Sequence, residues 1–427
     1  MSIVDPHVSF EDWTLKRTPL VVGTNAGSEP LAFQNWRRFK EAFVPELIMR
    51  AQSETSKALG RNVESCIDPF SGSGTTALAC QFLGITPTVI EVNPFLADLT
   101  EAKLSIVDIR MAARRLGEVL GTSLVVDPHE FYSTAPATFV EPGSGDRFLF
   151  SLSAATRLAS LVTAILTIPE VDIRRLFRVL LGSAAVLVCN AAVSGKGRRY
   201  RRNWEQLAKT AADVDAAFIE AVENAIFDIE RYSSRRTRSY QVIRGDAREE
   251  IHTIGAADMC VFSPPYPNSF DYTDVYNIEL WALGYLRSKE DNTRLRKATL
   301  RSHVQIKRDF SHANVPHDIK LSIERLRLAP DLWDRHIPEM IGAYFGDLEL
   351  VLKAVRTKLP LQGRAYLVVG DSKYAGVEVP VAKGLAEMSI SLGYEVVASE
   401  PFRSMRSSPQ QGGREELSET LIVLEAN

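Results

Sequence analysis

Three times along the 427-residue chain a short apolar run breaks off at an acid or a Pro/Gly turn and leads into a helical stretch. That alternation restricts the fold more than any other feature. The first instance runs from Ser65-Cys66-Ile67 through Asp68-Pro69 and a Gly-rich turn (Ser71 to Gly74). A helix from Thr75 to about Leu83 and a strand over Thr86 to Ile90, ending on Glu91, complete it. The second has a strand over Tyr240 to Ile243 ending on Gly245-Asp246 and a short helix around Ala247 to Thr253. Its last strand, Asp258 to Phe262, ends on Ser263-Pro264-Pro265-Tyr266. The third has a strand over Gly363 to Gly370 and a helix from about Val379 to Leu392. Two further strands, Tyr394 to Ser399 and Glu419 to Glu425, flank a Ser/Gly/Arg-rich connection, the pattern of a terminal antiparallel hairpin. Strands alternating with helices predict an α/β fold, a doubly wound, mostly parallel sheet covered on both faces. Ligands bind such sheets beyond the C-terminal strand ends, near a topological switch point. Asp68 to Gly74, Glu91 and Asp246 to Tyr266 all fall at such ends.

Between Thr100 and Tyr240 the pattern is helical, which reads as an insertion between the second and third strands. A second, charged non-sheet region covers 287–358 and holds His303, His312 and His317, read as a solvated loop. Hydrophobic residues at 45% and charged residues at 24% exclude disorder. A net charge of -3 excludes a globally basic nucleic-acid binder, so any such contact must come from local patches. The four cysteines are scattered and none lies at zinc-ligand spacing from a histidine, which predicts no disulfide framework, no metal and a reducing, cytoplasmic setting. The N-terminus lacks the apolar segment of a signal peptide. The longest uncharged run, Val179 to Gly195, is shorter than the ~20 apolar residues that span a bilayer. It reads as a buried helix, and no membrane partner is expected.

Gly72-Ser73-Gly74-Thr75-Thr76-Ala77 fits G-x-G-x-x-A between a strand and a helix, and Glu91 is placed to take both hydroxyls of a ribose. No Lys-Ser/Thr follows the turn, so it is not a P-loop. Alone this suits any adenosine cofactor. Asp68, at the mouth of the turn, would repel a pyrophosphate but suit an ammonium group. S-adenosylmethionine carries an ammonium and a sulfonium. Asp68 as a simple helix cap is the plainer alternative. At the other motif, Ser263-Pro264-Pro265-Tyr266, two prolines lock φ and present rigid carbonyl acceptors. The Ser263 oxygen and the Pro264 carbonyl can together accept both hydrogens of an exocyclic –NH2, and Tyr266 can stack on a base. A target atom inside a duplex is reached only by flipping the base out.

Asp68-Pro69-Phe70-Ser71-Gly72-Ser73-Gly74-Thr75-Thr76 and Ser263-Pro264-Pro265-Tyr266 resemble motifs I and IV of the S-adenosylmethionine-dependent amino-methyltransferases of DNA. The resemblance covers roughly residues 35 to 105 and 240 to 425. It implies a seven-stranded Rossmann-like methyltransferase sheet with S-adenosylmethionine as cofactor. Glu91 would hold the ribose, Asp246 would meet the adenine amino group, and Phe70 would pack beside the cofactor. Phe39 to Leu47 is similar, more loosely, to motif X, which puts Phe43 and Pro45 at the methionine end. Ser at the first position of motif IV goes in that family with cytosine N4, and Asp or Asn with adenine N6. No Pro-Cys pair supplies the nucleophile of a C5-cytosine enzyme. The implied partners are double-stranded DNA and a restriction endonuclease or other defence-system protein.

The implied division is an N-terminal arm (1–30), a catalytic domain (31–110 and 238–427) and a helical insertion (111–237) contacting DNA, with a second inserted segment (287–358) for target recognition. Lys196, Arg198, Arg199, Arg201 and Arg202, interleaved with Tyr200 and Trp204, form a patch suited to phosphates. Arg235-Arg236-Thr237-Arg238 is a second cluster, and Arg403 and Arg406 open the basic terminal connection. Tyr276 and Trp281 at helical spacing read as core, as does Cys260. N6-adenine methylation, RNA base methylation and a non-catalytic binding protein of the same fold remain open alternatives.

Overall fold

The computed structural model describes residues 7–19, 28, 30–37, 43–194, 197–268, 270–312, 315–406 and 416–427. Its main sheet has seven strands: β1 (Ser65–Asp68), β2 (Thr86–Glu91), β3 (Gln241–Arg244), β4 (Met259–Phe262), β5 (Arg364–Gly370), β6 (Tyr394–Arg406) and β7 (Glu416–Ala426). Their order across the sheet is β6-β7-β5-β4-β1-β2-β3. Every neighbouring pair is parallel except the two made by β7, which runs antiparallel to both β5 and β6. This is the doubly wound Rossmann-like methyltransferase sheet with a terminal antiparallel hairpin that the resemblance implied. The hairpin is longer than its apolar runs suggested, because β6 continues through Pro401 to Arg406 across two register shifts.

The chain lays β1, β2 and β3 outward in one direction, then returns to set β4 on the other side of β1. The connections leaving β1 and β4 therefore diverge, and the crevice between their C-terminal ends is where a ligand fits. Asp68 ends β1, and Ser263 immediately follows β4.

All four residues of β4 are buried, as a central parallel strand requires. Its side chains alternate between two cores. Met259 and Val261 join one face with α1 (Glu46–Leu59) and α2 (Thr75–Leu83), while Cys260 and Phe262 join the other with α7 (Ile337–Lys358) and α8 (Val381–Ser391). The remaining labelled helices are α3 (Pro94–Leu104), α4 (Leu152–Leu166), α5 (Val171–Val188) and α6 (Ala211–Arg231). The apolar faces of α4, α5 and α6, all in the 111–237 insertion, belong to the same core as α1 and α2. The insertion thus thickens one side of the sheet rather than forming a separate body. It also contains a hairpin, Ala191–Ser194 with Gly197–Tyr200, that the helical pattern did not announce.

Within 287–358 the helix α7 is the crossover that leads from β4 to β5, its inner face fully buried. Of the three histidines there, His317 is exposed at the start of a helix, but the other two are not solvated. His303 is 1% exposed, and the His312 ring sits where a side chain on Gly342 would otherwise be. Tyr276, Trp281 and Cys260 are core, as expected. In the N-terminal arm Trp13 stacks on Phe82 of α2, with ring centroids 4.6 Å apart. Among the described residues no helix is long and apolar enough to cross a membrane.

Gly182 lets α5 close against α3. A Cβ there would lie 2.8 Å from Phe95 and 2.8 Å from Leu283, both fully buried and without room to retreat. Gly117, on the exposed side of the helix Ile109–Leu120, faces open space. Gly182→Ala should therefore cost about 1–3 kcal/mol, while Gly117→Ala should gain about 0.5–1 kcal/mol. Urea unfolding of the two variants beside the parent checks both signs.

Candidate active site

A cavity of about 390 Å³ opens at the divergence of β1 and β4. One wall is the Gly-rich turn. Asp68, buried at the end of β1, accepts from the Phe70 amide (2.9 Å) and the Thr76 hydroxyl (2.6 Å). Glu91, buried at the end of β2, accepts from the amides of Gly72 (2.7 Å) and Asn93 (2.8 Å). One carboxylate thus ties the turn to the next strand, and the Ser71 amide adds a bond to the Ile90 carbonyl (3.0 Å). From below, Lys103 of α3 donates to the Ser73 carbonyl at 2.7 Å, and its own burial pushes it down to about 7.

The glycines of the turn divide their work. Gly72 lines the cavity with φ +53°. Gly74, at φ +81°, allows close packing instead, because a Cβ would lie 2.7 Å from the Thr100 hydroxyl. Ser73, Gly74 and Pro45 do not line the cavity, whereas Phe43, Pro69, Phe70, Thr75 and Thr76 do. Phe39 to Ala42 lie outside the described residues.

Burial pushes both Asp68 and Glu91 up to about 7. Among the described residues neither has a cationic partner to pull it back. Two buried, unneutralised carboxylates on one cavity fit a ligand that brings its own positive charge.

Asp246 lies further along the same cavity, as the cap of a short helix, held by Arg248 through Nε at 2.9 Å. Arg248 also pairs with Asp347 at 3.0 Å, and Asp347 in turn holds Arg301 at 2.8 Å. This chain of ions fixes residues 298–303 over the cavity.

The opposite wall is Ser263 to Tyr266. Ser263 Oγ donates to the Val368 carbonyl at 2.9 Å, which leaves its lone pairs to accept from a ligand. Tyr266 donates its hydroxyl to Glu419 of β7 at 2.7 Å. Burial and that carboxylate push the phenol up, so it remains a donor. Asn268, Phe270, Tyr272 and Tyr276 continue the wall, and Ser269 lies outside the described residues.

The basic residues separate into distinct settings. Arg198 donates to the Asp274 carbonyl at 2.8 Å, which brings the inserted hairpin against the segment that follows Tyr266. Arg199 and Arg202 are exposed. Arg201, also exposed, caps α5 as well, donating to the carbonyls of Cys189 (2.9 Å) and Val186 (3.2 Å). Arg235 is buried and holds the carbonyls of Lys103 and Ser105, a structural post rather than part of a phosphate patch. Lys196 and the side chains of Arg403 and Arg406 lie outside the described residues.

Sequence reasoning missed Lys103, Asn93, His303 and Glu419. A lone lysine inside the apolar helix PFLADLTEAKL was the one available signal for Lys103. The others become neighbours of the cavity only through the fold.

No family model matches the chain. It is similar to the Type II methyltransferase M.BsoBI of Geobacillus stearothermophilus, at 23% identity over 98% of this chain and 90% of that protein. The Type II methyltransferase M.AvaI of a Nostoc species is 24% identical over 91% of this chain and 85% of its own length. Among solved structures the chain aligns with TrmN from Thermus thermophilus at 11% identity and a TM-score of 0.29, over 94% of this chain and 53% of that one. The strand order, rather than that alignment, carries the fold. The chain resembles Type II methyltransferases over nearly its whole length.

Proposed function

We propose that this protein transfers a methyl group from S-adenosylmethionine to an exocyclic amine of a flipped-out base in double-stranded DNA, cytosine N4 in preference to adenine N6. One observation carries the reading: the unneutralised carboxylates of Asp68 and Glu91 and the acceptor wall of Ser263 to Tyr266 face a single cavity. The similarity to Type II methyltransferases along the chain supports it.

S-adenosylmethionine, when bound, supplies a methyl carbon made electrophilic by the sulfonium. Asp68, Glu91 and Asp246 would hold its ammonium, ribose and adenine, with Phe43 and Phe70 alongside. Ser263 Oγ and the Pro264 carbonyl accept the amine hydrogens and so turn the nitrogen lone pair toward the methyl. Tyr266, steadied by Glu419, stacks on the base. The displacement would be in-line, the nitrogen–methyl bond forming as the sulfonium carbon–sulfur bond breaks to leave a neutral thioether. The cationic amine so formed is a strong acid and would release one of its hydrogens to water past Ser263 Oγ. No general base with a matched pKa is needed, and positioning supplies most of the acceleration. Arg198, Arg199 and Arg202, on and beside the inserted hairpin, would meet phosphates at the rim. The cytosine preference rests on Ser263 at the first motif position.

Incubation of the protein with S-adenosylmethionine and mixed-sequence duplex DNA, then digestion and mass spectrometry of the nucleosides, tests the reading. N4-methylcytosine is expected. N6-methyladenine would keep the enzyme and overturn the base assignment, and methyl transfer to RNA alone would overturn the substrate. Ser263→Ala should lower kcat by roughly 10²-fold with cofactor binding little changed; full turnover would remove Ser263 from the mechanism.

The acids also predict a pH dependence. With Asp68 and Glu91 at about 7 in the empty protein, both are largely protonated at pH 6 and ionised at pH 8. Binding of a cation favours the ionised form, so S-adenosylmethionine should bind more tightly at pH 8 and release protons near pH 7. The same shifts mean that each acid favours the folded state at low pH and that this contribution is lost as pH rises from about 4 to about 7. Calorimetry at pH 6, 7 and 8 in buffers of different ionisation enthalpy checks the first claim, and equal affinity throughout would refute it.

A further inference from the structure

The acceptor wall of the cavity is built from a run that can do little to hold itself in place. Pro264, Pro265 and Pro267 carry no N–H, so between Pro264 and Pro267 only Tyr266 has a backbone amide to donate. That amide reaches the Tyr272 hydroxyl at a long 3.4 Å. The Tyr266 carbonyl accepts from the Asn268 amide at 2.7 Å, which folds the chain tightly about Pro267. Side chains fix the two ends of the wall, Ser263 on the Val368 carbonyl and Tyr266 on Glu419. The Pro267 carbonyl has a partner from far along the chain.

Tyr374 donates its hydroxyl to that carbonyl at 2.8 Å. Both residues are buried, and neither lines the cavity. The bond is made from behind the wall. Tyr374 belongs to a short hairpin, Ser372–Tyr374 with Val377–Val379, that follows β5. The hairpin is itself well fixed. At its start the Asp371 amide donates to the Ser418 carbonyl of β7 (3.0 Å), and the Asp371 carboxylate accepts from the Ala382 amide of α8 (3.1 Å). On its second strand the Glu378 carbonyl accepts from the Ser322 hydroxyl at 2.8 Å. The Tyr374 ring packs in the core that holds α7 and α8. Burial pushes its phenol well up, so the hydroxyl remains a donor.

We propose that Tyr374 is a positioning residue for methyl transfer, whose bond to the Pro267 carbonyl sets where Ser263 to Tyr266 stand relative to the methyl donor. This rests on the amine-methylation reading above. Prolines with locked φ make a stiff run, so a shift at Pro267 is passed on to Pro265 and Pro264 rather than absorbed. The Pro264 carbonyl is one of the two acceptors for the amine. A misplacement of about 1 Å near a reacting centre can cost about 10²-fold in rate. The bond lies behind the wall that faces the base, and Asp68 and Glu91 stand on the wall opposite. Its loss should therefore slow the transfer without weakening the binding of S-adenosylmethionine.

The test uses the full chain, a duplex whose methylated position has been mapped, and the single-turnover rate at saturating S-adenosylmethionine. Tyr374→Phe removes one oxygen and keeps the ring. The rate should fall roughly 10-fold with the Kd for S-adenosylmethionine unchanged. Tyr394→Phe is the control, because that hydroxyl is buried in the same core and donates to the Leu352 carbonyl at 2.9 Å, away from the turn. It loses a bond of the same kind and should keep the parent rate. Pro267→Ala, which unlocks φ but keeps the carbonyl, should also slow the transfer. In that background Tyr374→Phe should cost much less than it costs alone. A folded Tyr374→Phe that transfers at the parent rate overturns the proposal, as does one slowed no more than Tyr394→Phe. If Tyr374→Phe does not fold, a Pro267→Ala variant with the parent rate overturns it instead. A parent protein that methylates no DNA amine would overturn the functional reading beneath it.

Discussion

The two amide-to-carboxylate bonds at Glu91 are the tie on which the cavity depends. The Asn93 amide fixes the carboxylate at the end of β2, and the Gly72 amide ties the Gly-rich turn after β1 to it. The supports beneath it follow from that placement. Lys103 can reach the Ser73 carbonyl, and Thr100 can close against Gly74, only with the turn in this position. A buried carboxylate accepting two amides is stabilised as an anion, yet burial pushes Glu91 up by more than those bonds pull it down. The tie is thus strongest when a cation occupies the cavity.

The shared core explains why the insertion between β2 and β3 is tolerated. Its helices extend the apolar layer already formed by α1 and α2, so the sheet need not open to admit them. One consequence reaches the site. The turn after α5 carries the hairpin that sets Arg198 against Asp274, within the segment that closes the Ser263 wall. A region remote in sequence therefore forms part of the cavity's rim.

The features legible in the sequence were those that local chemistry dictates. Strand ends at Asp68, Glu91, Asp246 and Ser263 stood out because Gly, Pro and acid punctuate apolar runs there, and all of these residues come to one cavity. The terminal hairpin was visible for the same reason. What stayed hidden depends on tertiary approach. His303 sits in a charged stretch with no apolar periodicity, and tertiary contacts, among them the ion chain from Asp246 through Arg248, Asp347 and Arg301 and the burial of Leu300, fold that stretch over the cavity. Arg235 stands apart from any patch because composition cannot distinguish a guanidinium bound for solvent from one that pins a loop. Glu419 opens an apolar strand and reads as an ordinary edge residue until Tyr266 is brought to it.

The arrangement of charge also bears on how a polyanion and a cation could share one site. Asp68, Glu91, Asp246 and Glu419 line the cavity, while Arg199 and Arg202 are exposed outside it and Arg198 lies against its rim. Asp246 is already paired with Arg248, so Asp68 and Glu91, once ionised, are the acids that would draw a small cation inward and hold a phosphate outside. A nucleobase carries no net charge and enters without opposition from either. In the proposed reaction the base would be extruded while its backbone stays at the rim, and a net charge of -3 is no obstacle to that. The acids belong to the interior, where the cation binds, and the duplex would meet the arginines first.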